Sequence, residues 1–139
     1  MGIEVYINFD GNCREAVEYY AEVFKAERPQ IMTFGEGHGE DGDWEIPEDA
    51  KDRVMHTELV ISGSRVMFSD TVPGMPFKKG NNISLTYLST IPDEIKRIFN
   101  VMKDDGQVGM ELQETFWSKL YGSLTDKFGI EWQFSLENE

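Results

Sequence analysis

The stretch Thr71 to Gly80, TVPGMPFKKG, carries two prolines and two glycines and is the one good linker in the chain. Proline fixes its own φ and has no amide hydrogen, so neither a helix nor a central strand continues through it. The same order of elements is legible on both sides of this linker, and that repetition constrains the fold more than any single motif. On the N-terminal side, Ile3, Val5, Ile7 and Phe9 alternate with Glu4, Tyr6 and Asn8. A period of two predicts a strand with one apolar face. Asp10-Gly11-Asn12 breaks it, and Asn12 with Glu15 three residues on has the pattern of a capping box. Ala16, Tyr19, Tyr20, Val23 and Phe24 follow at helical spacing. Gln30 to Phe34 reads as a short strand. Val54 to Ile61 and Arg65 to Asp70 read as the arms of a hairpin turning at Ser62-Gly63-Ser64.

Beyond the linker the order returns. Asn82 to Ser89 predicts a strand, and Thr90 caps a helix with Pro92 in its first turn. Its apolar stripe is Ile95, Ile98, Phe99 and Met102, and Gly106 ends it. Met110 to Thr115, Lys119 to Asp126 and Ile130 to Ser135 are all strand-like; in the last, Ile130, Trp132 and Phe134 oppose Glu131 and Gln133. Each half therefore reads strand, helix, three strands: an α+β chain with one module over about 1–70, a linker over 71–80, and a second module over about 81–137. Together they make a single domain.

Charge excludes some partners. The chain has 26 acidic against 13 basic side chains, a net charge of −13. No basic cluster is present to neutralise phosphates, so nucleic acid is not expected as a partner. The same charge repels anionic membrane surfaces, and nothing approaches the roughly 20 apolar residues of a membrane helix. The N-terminus lacks the basic and apolar regions of a secretory signal, which points to a cytoplasmic protein. Cys13 is the only cysteine, so no intrachain disulfide forms and a four-cysteine zinc site is excluded.

Few residues stand out as chemical. His56 and Glu58 are two apart on a predicted strand, so both project from one face, a spacing that suits an acid–base pair or two metal ligands; a plain polar patch has the same pattern. If Gly63 and Ser64 are the central turn residues, Ile61 faces Val66, Val60 faces Met67 and Glu58 faces Ser69. Alternation then gathers His56, Glu58, Val60, Met67 and Ser69 on one face, with Met55, Thr57, Leu59, Ile61, Val66 and Phe68 on the other. His38 lies in the glycine-rich acidic stretch Gly35 to Asp52, which reads as a solvated loop. Gly37-His38-Gly39-Glu40-Asp41-Gly42 has the letters of a dinucleotide fingerprint, but Pro47 follows where a helix would have to open. Cys13 begins the first helix, where a thiolate is stabilised, yet no histidine is near it in sequence and a small packed residue accounts for it better. Trp117, Tyr121 and Trp132 suit either core packing or the wall of a pocket for a planar ligand.

The doubled order resembles the vicinal oxygen chelate superfamily, which includes glyoxalase I, extradiol dioxygenases and bleomycin-resistance proteins. Within it, the chain looks like the PhnB-like subgroup. The resemblance is carried by Asn12 to Tyr20, Asp52 to His56, Gly63 to Asp70, and Gln113 to Lys119 with Asp126 to Gly129. It implies two βαβββ modules whose curved mixed sheets form a cavity, commonly within a homodimer. It also implies metal ligands at four strand positions, which align with Val5, Met67, Asn82 and Gln133. Valine cannot coordinate, and a thioether suits hard divalent ions poorly. Only Gln133 matches the family's ligand types well, so no metal or other cofactor is expected, although a divalent ion relocated toward His56 and Glu58 is not excluded. Such proteins are sometimes labelled demethylubiquinone methyltransferases, but no glycine-rich cofactor loop in a strand-to-helix setting supports that activity here.

The expected function is small-molecule binding in a sheet-lined cavity. His56 and Glu58 are its candidate catalytic pair, and Ser69, Asn82, Trp117, Tyr121 and Gln133 its candidate ligand contacts. The acidic balance favours a neutral or cationic ligand. The alternative is a metal-dependent or acid–base enzyme of lyase, isomerase or dioxygenase type that uses His56 and Glu58.

Overall fold

The computed structural model describes residues 2–37 and 48–138. The chain divides into two compact units, Met1–Lys78 and Lys79–Glu139. Unit 1 runs β1 (Val5–Phe9), α1 (Cys13–Val23), β2 (Met32–Thr33), a short helix α2 (Phe34–Gly37), a 3-10 turn (Glu48–Ala50), β3 (Val54–Ile61) and β4 (Ser64–Asp70). Unit 2 runs β5 (Leu85–Ser89), α3 (Pro92–Asp105), β6 (Gln107–Gln113), β7 (Tyr121–Thr125) and β8 (Glu131–Leu136). The sheets are ordered β1-β4-β3-β2 and β5-β8-β7-β6. In each, the first strand lies parallel to the last and the other neighbours are antiparallel. The architecture is α+β, two βαβββ units with four-stranded mixed sheets.

Each sheet has one face under its helix. In unit 1 the rows Val5–Val66–Leu59 and Ile7–Phe68–Thr57 share that face. Tyr20 of α1 stacks on Phe68 at 5.9 Å, and Phe9 meets Phe68 at 6.4 Å. In unit 2 the rows Leu85–Trp132–Leu124 and Tyr87–Phe134–Gly122 take the same role. The rings of Phe99 and Phe134 meet edge to face at 5.5 Å. Gly122 lets α3 come close: a Cβ there would lie 3.1 Å from the Phe99 ring and 3.0 Å from the Met110 carbonyl oxygen.

The structure corrects several local expectations. The hairpin turns at Ser62 and Gly63, both at positive φ (51° and 85°), so Ile61 pairs with Ser64 and Glu58 with Met67. That is the geometry of a type I′ turn, whose twist matches the flanking strands. The pairing differs from the expected one by two residues, an even number, so every side chain stays on its expected face. Asn12 makes no side-chain cap. Asp70, at the end of β4, does the work instead: Oδ1 accepts from the amides of Gly11 and Cys13 at 2.8 and 3.0 Å, and Oδ2 from Val54 at 2.9 Å. Nor does Thr90 cap α3, whose N-cap position is Ile91; the Ser89 hydroxyl accepts from the Ile91 amide at 3.0 Å. The expected second strand shrinks to two residues, and the strand expected from Asn82 begins at Leu85. Phe34, just ahead of the expected loop, and Ala50, near its far end, pack together with Met55 and Val72. His38 and the glycine-rich run lie outside the described residues.

Candidate functional site

The faces turned away from the helices carry the polar chemistry. In unit 1 this open face is built from three strands in register: Tyr6 beside Met67 beside Glu58, and Asn8 beside Ser69. Strand alternation sends the odd residues of β1 to the helix and leaves Tyr6 and Asn8 outside. The Tyr6 hydroxyl lies 3.3 Å from Nδ1 of His56, and His56 Nε2 lies 3.9 Å from Glu58 Oε2. Glu58 Oε2 is in turn 3.6 Å from the Arg65 guanidinium. Arg65 closes the row with a two-pronged pair to Glu4, its Nε donating at 2.9 Å and Nη2 to the other oxygen. The hydrogen bond from Arg65, followed by its charge, holds the Glu4 carboxyl below the usual carboxylate range, and the bond to Glu4 raises Arg65 further. Which group donates between Tyr6 and Nδ1 follows from the imidazole tautomer, and the other ring nitrogen, Nε2, faces Glu58. Ser69 is buried and its hydroxyl donates to Asn8 Oδ1 at 3.0 Å.

Unit 2 presents a different open face. The register Thr86–Gln133–Ser123 corresponds to Tyr6–Met67–Glu58 of unit 1. The Tyr121 hydroxyl donates to Gln133 Oε1 at 2.5 Å, and Gln133 Nε2 donates to Ser84 Oγ at 2.7 Å. The Trp117 ring sits 5.1 Å from that of Tyr121, and Phe116 sits 4.7 Å from Trp117. Phe116 is 97% exposed and Trp117 54%. The turn that presents them is fixed from below: Ser118 is buried, and its hydroxyl reaches the carbonyls of Leu120 and Leu136 at 2.9 and 3.0 Å.

Of the residues singled out from sequence, His56 and Glu58 are neighbours on one face, and Trp117, Tyr121 and Gln133 form one cluster. Asn82 is exposed in the bend ahead of β5 and makes none of these contacts; Ser84 and Thr86 flank Gln133 instead. Trp132 belongs to the core, its indole N–H donating to Asp126 Oδ2 at 2.9 Å. Cys13 is fully buried, and burial, then the nearby Asp70 charge, pushes its thiol far up and disfavours the thiolate. Sequence reasoning missed Tyr6, Arg65 and Glu4. The alternation of β1 had already put Tyr6 and Glu4 opposite the apolar residues, and that was the available signal.

The metal that the superfamily resemblance implies does not fit these residues. Val5 points into the helix-packed face, and Asn82 stands outside the strand. The open-face pair of unit 1 is a phenol and a thioether, Tyr6 and Met67; that of unit 2 is a hydroxyl and a carboxamide, Thr86 and Gln133. None is an imidazole or carboxylate, the donors that hold zinc, iron or manganese. Beside them, Arg65 already faces Glu58, and a cation there opposes a second one. Among the described residues no three His, Cys, Asp or Glu side chains converge on one point.

Residues 2–135 match the family described as 3-demethylubiquinone-9 3-methyltransferase. The chain belongs to this family. Its solved relatives include PA1353 from Pseudomonas aeruginosa, 32% identical, with a TM-score of 0.83 over 100% of this chain and 99% of the other. A Bacillus cereus protein titled putative 3-demethylubiquinone-9 3-methyltransferase, PhnB protein, is 25% identical, with a TM-score of 0.75 over 99% and 100%. In fold alone the chain is similar to FosX, a fosfomycin resistance protein from Listeria monocytogenes, 8% identical with a TM-score of 0.61 over 99% and 94%. The family and these likenesses place the chain in the glyoxalase-like, vicinal oxygen chelate superfamily. No helix among the described residues is long and apolar enough to cross a membrane.

Proposed function

We propose that this is a PhnB-like small-molecule-binding protein that recognises its ligand on the open sheet faces without the superfamily metal. The observation that carries this reading is the contiguous row Tyr6–His56–Glu58–Arg65–Glu4, whose neighbouring polar groups lie within 3.9 Å of one another and whose Arg65–Glu4 end is held by a two-pronged pair. Such a row offers oriented donors and acceptors at low ordering cost. In unit 2, the Tyr121–Gln133–Ser84 row beside exposed Trp117 offers a neutral counterpart with an aromatic wall. The net charge of −13 favours a neutral or cationic ligand.

We do not extend the methyl transfer in the family's name to this chain. Cofactors with phosphate or carboxylate groups dock on free amides at strand-to-helix turns. Here Asp70 already occupies the amides of Gly11 and Cys13, and Ser89 that of Ile91.

A second reading, proton transfer by His56 and Glu58, draws on the Tyr6–His56–Glu58 contact chain. We also propose a cytoplasmic homodimer. Ile83, Leu88 and Phe116 in unit 2, with Ile3 and Val60 in unit 1, are large apolar residues exposed to solvent.

The test is a thermal-shift and calorimetric screen with neutral and cationic small molecules against protein purified without added metal. Binding that survives chelation and weakens at least tenfold in His56→Ala/Glu58→Ala or in Gln133→Ala, with the circular dichroism unchanged, supports the binding reading. Stoichiometric zinc, iron or manganese that is lost in Gln133→Ala overturns the metal-free part. Light scattering at micromolar concentration tests the dimer, and a monomeric mass refutes it.

A further inference from the structure

The edge of β3 has a free stretch. The two-residue turn makes Ile61 and Ser64 the closing hydrogen-bonded pair, so Thr57, Leu59 and Ile61 spend their backbone groups on β4. The N–H and C=O of Glu58 and Val60 therefore point the other way. On that side β2 reaches only Val54 and His56. Among the described residues no strand hydrogen-bonds to the outward N–H and C=O of Glu58 or Val60.

What lies opposite is a cleft of about 930 Å³, walled by the connection from α1 to β2, Lys25 to Gln30. Its floor includes both His56, Glu58 and Val60 from the open face and Thr57 and Leu59 from the helix face, so it runs along the strand's edge and not along either face. One end is closed where the Thr57 hydroxyl donates to the Gln30 carbonyl at 2.9 Å. At Lys25, the first wall residue beyond α1, the helix ends in a Schellman motif: the Ala26 amide reaches the Ala21 carbonyl at 2.9 Å and the Lys25 amide the Glu22 carbonyl at 3.3 Å. Lys25 takes the left-handed position at φ 53°, where glycine is usual because a side chain is strained there. Backbone strain of this kind collects at functional positions. Lys25 and Arg28 make no ion pair among the described residues; Glu27 stands between them in the wall, and Glu58 in the floor already faces Arg65 at 3.6 Å.

We infer that this cleft binds an extended peptide that adds a strand to the free edge of β3, with Lys25 and Arg28 receiving its carboxylate. Unpaired edge amides and carbonyls recognise another main chain, and a nearby pair of unmatched cations selects an acidic one. The inference shares the His56 and Glu58 side chains with the open-face reading, but it rests on the backbone groups of the β3 edge and on the far wall of the cleft.

The probe is an N-acetylated Thr-Val-Thr-Val-Glu peptide with a free carboxyl terminus, titrated into nitrogen-15-labelled protein. Expected are slowing of amide exchange at Glu58 and Val60 by fivefold or more, and loss of the effect when alternate peptide amides are methylated. Lys25→Gly should raise the melting temperature yet weaken peptide binding at least threefold. Val60→Pro deletes only an amide that β4 does not use, and should abolish binding with the fold intact. Four results overturn the inference. One is that the peptide leaves both amides unchanged at millimolar concentration. Another is that free glutamate reproduces its shifts, which makes this a simple anion site. A third is that raising protein concentration alone protects the same amides, which makes the occupant a second copy. The last is that Lys25→Gly binds the peptide as well as the native protein does.

Discussion

Units 1 and 2 share strand order, and each buries an aspartate, at the end of β4 in one and in the turn between β7 and β8 in the other, yet their open faces differ in chemistry. Asp70 gathers three backbone amides from the start of α1 and of β3. Asp126 gathers the amides of Phe128 and Ile130 at 2.8 and 3.0 Å and the Trp132 indole. On the helix sides both units bury aromatic rings. On the open sides, unit 1 sets an ionic row of Glu4, Arg65, Glu58 and His56, and unit 2 a neutral row of Thr86, Gln133, Ser123 and Tyr121. The comparison teaches that one surface of each sheet and its buried carboxylate carry the fold, and the other surface is left free for recognition.

The sharpest way to break that comparison is to remove the aspartates. Asp70→Ala strands three buried or half-buried amides, and Asp126→Ala two amides and an indole, each a loss of about 3 kcal/mol from orphaned donors and charge-assisted bonds. Urea denaturation checks both. If either substitution costs under about 1 kcal/mol, that residue does not hold its unit together.

The next effect separates the two helix faces. Gly122 occupies the row position in unit 2 that Thr57 occupies in unit 1, one opposite Phe134 and the other opposite Phe68. Unit 1 accommodates a buried threonine there; unit 2 has the Leu112 side chain 2.9 Å from where a Cβ would stand. Gly122→Ala should therefore cost about 2 kcal/mol through overpacking. An unchanged midpoint would mean that α3 packs no more tightly than α1.

The smallest effect concerns charge on the open face. Glu4 titrates below the usual carboxylate range because Arg65 donates to it, so the pair's contribution is present above that range and fades as pH falls through the lowered value. Arg65→Ala should return the Glu4 titration toward its ordinary position and flatten the acid limb of stability against pH. Carbon-detected NMR of the Glu4 carboxyl reads this directly. A Glu4 titration unmoved by the substitution would show that the row is not coupled. Unit 2, whose row has no carboxylate–guanidinium pair, offers no equivalent signal.

Much of the fold was legible in the sequence because it rests on short-range periodicity. Alternation in β1 and β8 and the stripe of α1 assign faces correctly, since a period of two or 3.6 survives errors at element ends. What escaped the sequence is non-local. Asp70 replaces Asn12 as the donor-satisfying group at α1 although the two are 58 positions apart, and no local pattern announces that. The hairpin register depends on which of Ser62 and Ser64 accepts positive φ, and the letters Ser-Gly-Ser permit both. In the candidate site, His56, Glu58 and Gln133 followed from strand spacing. The positions that the family resemblance aligns with Val5 and Asn82 lie on the helix-packed face and ahead of β5, while Tyr6 and Thr86 hold the open-face register.

The most direct measurement is a crystallographic fragment screen on metal-free protein. The account predicts that bound fragments collect on the open faces, against Tyr6, His56 and Met67 in unit 1 or against Trp117, Tyr121 and Gln133 in unit 2. Fragments seated between the helices and the sheets, with those open faces bare, would contradict it.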